Sequence, residues 1–120
     1  MTALLSVLKE FIQLEQVTGV LVLDRSGNVR EGISSGGSVD TDAEAASLGR
    51  GVAATKTLGR ELDIGELIQG TFEYEDCLLV VSPLGAHAVL VIQADRDANL
   101  GRIRLQLQRH KKAILQALAG

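Results

Sequence analysis

Three short segments of this chain, Val20-Leu21-Val22-Leu23, Leu78-Leu79-Val80-Val81 and Val89-Leu90-Val91-Ile92, are apolar at every position. Successive side chains of a strand point to opposite faces, so strands without alternation belong in a sheet covered on both sides. Segments 29–33 and 66–74 are interrupted by polar residues and suit the sheet's margins. In 66–74, Ile68, Phe72 and Tyr74 share one face and Gln69 and Thr71 the other, with Leu67 the exception. Asp24-Arg25-Ser26-Gly27-Asn28 offers a tight turn between the first two strands, Gly27 being free to take the left-handed conformation. Glu75-Asp76 and Pro83-Leu84-Gly85-Ala86-His87 turn 66–74 into 77–82 and 77–82 into 88–94, which makes the last three strands neighbours. The simplest order is 2-1-5-4-3, antiparallel, with 66–74 at a free edge.

Three helices supply the cover. Leu4, Leu5, Val7, Leu8, Phe11, Ile12 and Leu14 form one broad face over residues 2–16, and Gly19 closes that neighbourhood. Over 98–119, Leu100, Ile103, Leu107, Ile114 and Leu118 share one side. Residues 102–107 alternate locally like a strand, yet a face sustained along the whole segment is helical. The expected fold is a three-layer α/β/α sandwich: a five-stranded antiparallel sheet with the middle helix on one face and the terminal helices on the other.

The middle helix carries an unusual surface. Thr41-Asp42-Ala43-Glu44 has the spacing of a capping box, and Gly65, with the change to period two, places the helix's end near Asp63. At the helical period, Leu48, Val52, Thr55, Leu58, Gly59 and Leu62 fall on one side. Ala46, Gly49, Arg50, Ala53, Thr57 and Arg60 fall on the other, a flat face without long side chains apart from its two arginines. Each internal glycine costs up to ~1 kcal/mol relative to alanine. Gly49, Gly51 and Gly59 therefore reflect either close approach of another backbone or a poor helix rescued by tertiary packing. The first reading, joined to an edge strand whose only charges are Glu66 and Glu73, points to self-association through Ala46, Gly49, Ala53, Lys56, Leu67, Gln69 and Thr71.

With 120 residues, 46% hydrophobic and 22% charged, the chain is expected to form a single domain over 1–120. A net charge of −3 argues against a general nucleic-acid binder. No apolar run approaches the ~20 residues that cross a bilayer, and Lys9 and Glu10 interrupt the first apolar pattern, unlike a signal peptide. The chain reads as cytoplasmic, without membrane insertion. Cys77, the single cysteine, is expected as a small buried hydrophobe in a strand. Aromatic content of 2% argues against base-stacking platforms and aromatic cages.

The elements run helix, two strands, helix, three strands, helix; Gly19-Val20-Leu21-Val22-Leu23-Asp24-Arg25-Ser26-Gly27 opens the sheet, a small-residue helix stands in the middle, and Asn99-Leu100-Gly101-Arg102-Ile103-Arg104 opens the last helix. In that order and those motifs the chain resembles the Roadblock family. The family includes dynein light chains, lysosomal scaffold subunits and bacterial regulators of Ras-like GTPases. The resemblance spans essentially the whole chain, both ends being shorter than in some relatives. It implies a homodimer or heterodimer in which third-strand edges pair across a two-fold axis and the middle helices lie side by side. It also implies that the helical face docks a small GTPase and that the domain is non-catalytic.

Other motifs carry little chemistry. Gly49-Arg50-Gly51-Val52-Ala53-Ala54 fits a dinucleotide-binding pattern but sits inside a helix, without free amides for a pyrophosphate. Thr55-Lys56-Thr57 lacks the glycines of a phosphate loop. His87, His110 and Cys77 lie at no recognisable catalytic or zinc spacing. Asp97, before Ala98, reads as a helix cap rather than a metal ligand paired with Asp95. Arg102, Arg104, Arg109, Lys111 and Lys112 form a solvated basic face or a secondary acidic contact, and Leu105 points off the main stripe toward the first helix or a minor contact surface. No cofactor or metal is expected. The reading is a non-catalytic dimeric regulatory or scaffold module for a small Ras-like GTPase held on Arg50, Thr57 and Arg60. The alternative is a small-ligand sensor of the profilin-like or PAS-like kind, which few aromatics and tightly apolar central strands disfavour.

Overall fold

The structure, a computed structural model, describes residues 3–14, 16–35 and 42–119. Its elements are α1 (Ala3–Ile12), β1 (Val17–Asp24), β2 (Val29–Ser34), α2 (Asp42–Glu61), β3 (Gly70–Glu73), β4 (Leu78–Leu84), β5 (Ala88–Ala94) and α3 (Leu100–Ala119). The three apolar strands lie side by side at the centre of one antiparallel sheet in the order β2-β1-β5-β4-β3. Alternate side chains feed two separate cores. Val20, Val22, Val80, Leu90 and Ile92 meet Leu8 and Phe11 of α1 and Ile103, Leu107 and Ile114 of α3. Leu21, Leu23, Val81, Val89 and Val91 meet α2, whose buried apolar contributions are only Ala45 and Val52 among the described residues, Leu48 being partly covered. A large buried side chain contributes ~1.5–3 kcal/mol and alanine much less, so the α1/α3 layer is held strongly and the α2 layer thinly.

Local backbone chemistry moves several boundaries from where periodicity puts them. α1 stops at Ile12 because Gln16 takes a left-handed conformation (φ 70°) and aims the chain into β1. That strand begins at Val17, so Gly19 lies inside it, opposite Ser34 and Gln93. α2 closes where expected: Asp63 is left-handed (φ 53°) and the Ile64 amide donates to the Gly59 carbonyl at 3.0 Å. β3 covers only four residues, 64–69 having no regular structure. Pro83 sits within β4 rather than in the turn, opposite Val89, and β3 pairs no further along β4 than Val81. Its missing N–H therefore breaks no ladder on that side. The cap of α3 is Asn99, not Asp97: its Oδ1 accepts from the Arg102 amide at 3.1 Å. The Thr41 capping box and the glycine-rich segment at 36–38 lie outside the described residues.

Gly49 explains how α2 is seated. A Cβ added there would stand 2.9 Å from the Cα of Gly27 in the β1–β2 turn, whereas one added at Gly51 meets nothing within 4 Å. The close backbone approach implied by the glycines exists, and its partner is this chain's own turn. Gly49→Ala is expected to destabilise the fold by ~1–3 kcal/mol through overpacking, while Gly51→Ala gains up to ~1 kcal/mol of helix propensity. Urea unfolding of the two variants at low protein concentration checks this, and equal effects would contradict it.

Candidate functional site

Seating α2 on the β1–β2 turn gives the helix two unlike flanks. On the β3 side, Ser47, Leu48, Gly51, Val52 and Thr55 form one wall of an apolar groove of about 270 Å³, with Phe72, Tyr74, Leu79 and Val81 opposite. Leu58 and Leu62, expected against the sheet, are 52% and 58% exposed. The Gly49 contact turns them outward. Tyr74, also exposed, stands in the opposite wall, and Ile64 and Ile68 are exposed in the segment that leads from α2 to β3. Among the described residues seven large hydrophobics are exposed, and all but Leu105 and Leu115 of α3 lie in sequence between the second half of α2 and Tyr74 just after β3, a concentration that marks a contact surface.

The groove runs beside the open edge of β3, which pairs with β4 alone. Glu73, one of the two charges guarding that edge, is held by Arg96 at 2.8 Å. The edge is thus less protected than its sequence suggests. Gln69 and Thr71 are half-buried along it, and the Gln69 Nε2 is buried without an acceptor among the described residues. Leu67, also half-buried, instead lines a hollow with Arg25, Lys56 and Arg60.

On the opposite flank, Gly49, Ala53, Lys56, Thr57 and Arg60 line a hollow of about 280 Å³ closed by Asp24, Arg25 and Gly27 on one side and by 86–89 on the other. Ala46 and Arg50 are exposed. Arg50 and Arg60 each donate at 3.1 Å to a hydroxyl three residues earlier, Ser47 and Thr57 respectively. The residues singled out in the sequence thus divide between the β3 edge, the outer surface of α2 and this second hollow. Periodicity does not mark Ser47, Thr55, Leu58 and Leu62 as contact residues, although the Leu58–Leu62 spacing of four becomes an exposed stripe once the rotation of α2 is known.

In the β1–β2 turn the Asp24 carboxylate accepts from the Ser26 and Asn28 amides, both at 2.9 Å. The Asn28 bond, with lesser help from Ser26 and the nearby Arg30, lowers its pKa below the ordinary 3.8. His110 packs edge-on against Phe11 at 5.5 Å between centroids and pairs with Gln106 at 2.9 Å; His87 is exposed in the β4–β5 turn. Cys77 is half-buried just ahead of β4, not inside the strand. Among the described residues no three His, Cys, Asp or Glu side chains gather as a metal site, and no helix is long and apolar enough to cross a membrane.

The family model of the Roadblock/LC7 domain matches residues 4–94. This chain belongs to the Roadblock/LC7 family. Among solved Roadblock-type structures it is similar to the gliding protein MglB of Thermus thermophilus, at 26% identity and TM-score 0.81, over 96% of this chain and 87% of that one. An MglB with a tetrameric arrangement matches at 26% identity and TM-score 0.81, over 95% and 86%. The Roadblock/LC7 domain from Streptomyces avermitilis shares the fold at 20% identity and TM-score 0.82, over 93% and 94%. No curated protein matches at comparable significance. The family match ends before α3 of this Roadblock domain begins.

The lowered pKa of Asp24 has a definite sign. A carboxyl depressed in the folded state stabilises above its unfolded pKa, and that contribution is lost as pH falls through the folded value. Asp24→Ala is expected to lower Tm at pH 7, with the gap to wild type closing as pH drops below 3.8. Melting curves over that range check it, and a gap that widens on acidification would contradict it.

Proposed function

We propose that this Roadblock domain, one unit over 1–120, is a non-catalytic homodimeric module of the cytoplasm that scaffolds or regulates a small Ras-like GTPase. The observation that carries self-association is the apolar groove beside an open strand edge. A second copy related by a two-fold axis would lay its α2 along Ser47, Gly51, Thr55, Leu58 and Leu62 and pair its β3 with this one. The small residues permit close approach, and the leucines and Tyr74 supply apolar area. The tetrameric MglB is a relative that assembles with copies of itself. Of the residues expected at an interface, Gln69 and Thr71 stay with this reading, while Gly49, Lys56 and Leu67 belong to the other flank.

The GTPase reading rests on family membership and on the outer surface of α2, where Arg50, Thr57 and Arg60 stand with Ala46 and Ala53. In a dimer, two such surfaces lie together as a shallow platform. Arginine is among the residues that most often dominate binding energy. Regulation would follow from binding one nucleotide state of the GTPase better than the other, which shifts its switch regions by differential affinity.

Wild-type protein is expected to sediment as a dimer at roughly tens of micromolar. Gly51→Arg, which fills the groove, and Thr71→Pro, which removes an edge N–H, should sediment as monomers. A wild-type monomer at that concentration would end the dimer reading. Arg50→Glu with Arg60→Glu should abolish capture of the cognate GTPase with little change in melting, since exposed charges rarely contribute more than ~1 kcal/mol to folding. Reversal at Arg109 and Lys112 should matter less; if only that change disrupts the complex, the docking face lies on α3.

A further inference from the structure

We propose that the hollow between the second half of α2 and the β1–β2 and β4–β5 turns binds a phosphate-bearing anion. Three cations converge there from separate parts of the chain. Arg25 comes from the β1–β2 turn, and Lys56 and Arg60 stand one helical turn apart on α2. All three line both of two adjoining hollows, of about 280 and 500 Å³. The larger lies within the size range of small-ligand sites, ~300–1,000 Å³, and the smaller stands just below it. His87 adds a ring to the wall of the first.

Folding alone does not call for this arrangement. Like charges four residues apart on a helix destabilise it, and Lys56 and Arg60 are such a pair with Arg25 facing them. Lys56 is half-buried on the flank of α2 that faces the β1–β2 and β4–β5 turns, between the buried Val52 and Gly59 in sequence. Two carboxylates share the walls. Asp24 is engaged by the Ser26 and Asn28 amides, and Glu66 lines only the larger hollow. Among the described residues none of the three cations forms an ion pair. An anion with two or more charges would remove their mutual repulsion. Arginine forks and a lysine point charge are the groups that recognise phosphate oxygens.

The phosphate could be carried by a soluble ester or by a lipid headgroup, and two probes separate these sources. Inorganic pyrophosphate is titrated calorimetrically at low salt, and phosphatidylcholine vesicles carrying phosphatidylinositol bisphosphate are tested by co-sedimentation. Saturable pyrophosphate binding without vesicle capture assigns the site to soluble esters; vesicle capture that pyrophosphate reverses assigns it to headgroups. In either case binding should weaken about tenfold in Lys56→Gln and in Arg25→Gln and fall with added salt. Arg109→Gln and Lys112→Gln should leave it unchanged. Arg25 is exposed, so its replacement should leave melting unaltered. Absence of saturable binding in both arms, or binding untouched by the Lys56 and Arg25 changes, would overturn the proposal. No GTPase and no Arg50 or Arg60 variant enters this experiment, so its outcome is independent of the regulatory reading.

Discussion

The contact between Gly49 and Gly27 decides how α2 lies on the sheet, and most of what distinguishes this molecule follows from it. Glycine at 49 lets a helix backbone and a turn backbone meet where a Cβ would hold them apart, and glycine at 27 supplies the positive φ (85°) that the turn requires. The helix is thereby pinned on its β1–β2 flank. Its own buried contribution is small, Ala45 and Val52, so little else fixes its rotation. The opposite flank is left facing β3 with Leu58 and Leu62 in the open. A single close approach thus produces both the apolar groove and the cationic hollow.

The two faces of the sheet consequently have different standing. Phe11, Leu8, Ile103 and Ile114 are fully buried between the sheet and the α1/α3 layer, which makes that side a finished core. On the α2 side Phe72 and Leu79 are only partly covered, and the groove above them ends at an unpaired strand edge. Apolar side chains left open beside free backbone donors and acceptors are stabilised most by another copy of the same edge, because one association satisfies both.

The layer order and strand order were legible because they depend on hydrophobic patterning and on turn residues, both of which a sequence displays directly. Val20–Leu23 and its two counterparts had to be central, and the two tight connections had to make neighbours of the last three strands. The rotation of α2 was not legible. Periodicity assigns Leu58 and Leu62 inward because it registers hydrophobicity alone, and a leucine exposed for a partner looks the same as one buried in a core. Gly49 shows the converse: a glycine inside a helix signals close approach, but nothing in it says which backbone approaches. Asn99 displaced Asp97 as the α3 cap for a similar reason, since either residue can cap and only the chain's path from β5 decides where the helix begins. Residues of α2 and β3 stood out in the sequence as candidates for contact, while the flank facing the groove became visible only once the helix was seated on the sheet.

The decisive question is whether a second copy closes the β3 edge. The Tyr74 amide donates to the Cys77 carbonyl, so the alternating ladder turns the Gly70 and Phe72 amides toward β4 and those of Thr71 and Glu73 toward the free edge. Amide hydrogen exchange at Thr71 and Glu73, followed by NMR at high and low protein concentration, reads this directly, because amides at an open edge exchange rapidly and those in a sheet ladder do not. Protection of these two amides that rises with concentration, together with slowed exchange in 47–62 and unchanged exchange in β1 and β5, is the predicted result. Exchange at Thr71 and Glu73 that is fast and independent of concentration, while β1 and β5 stay protected, would show that the edge remains open and contradict the central claim.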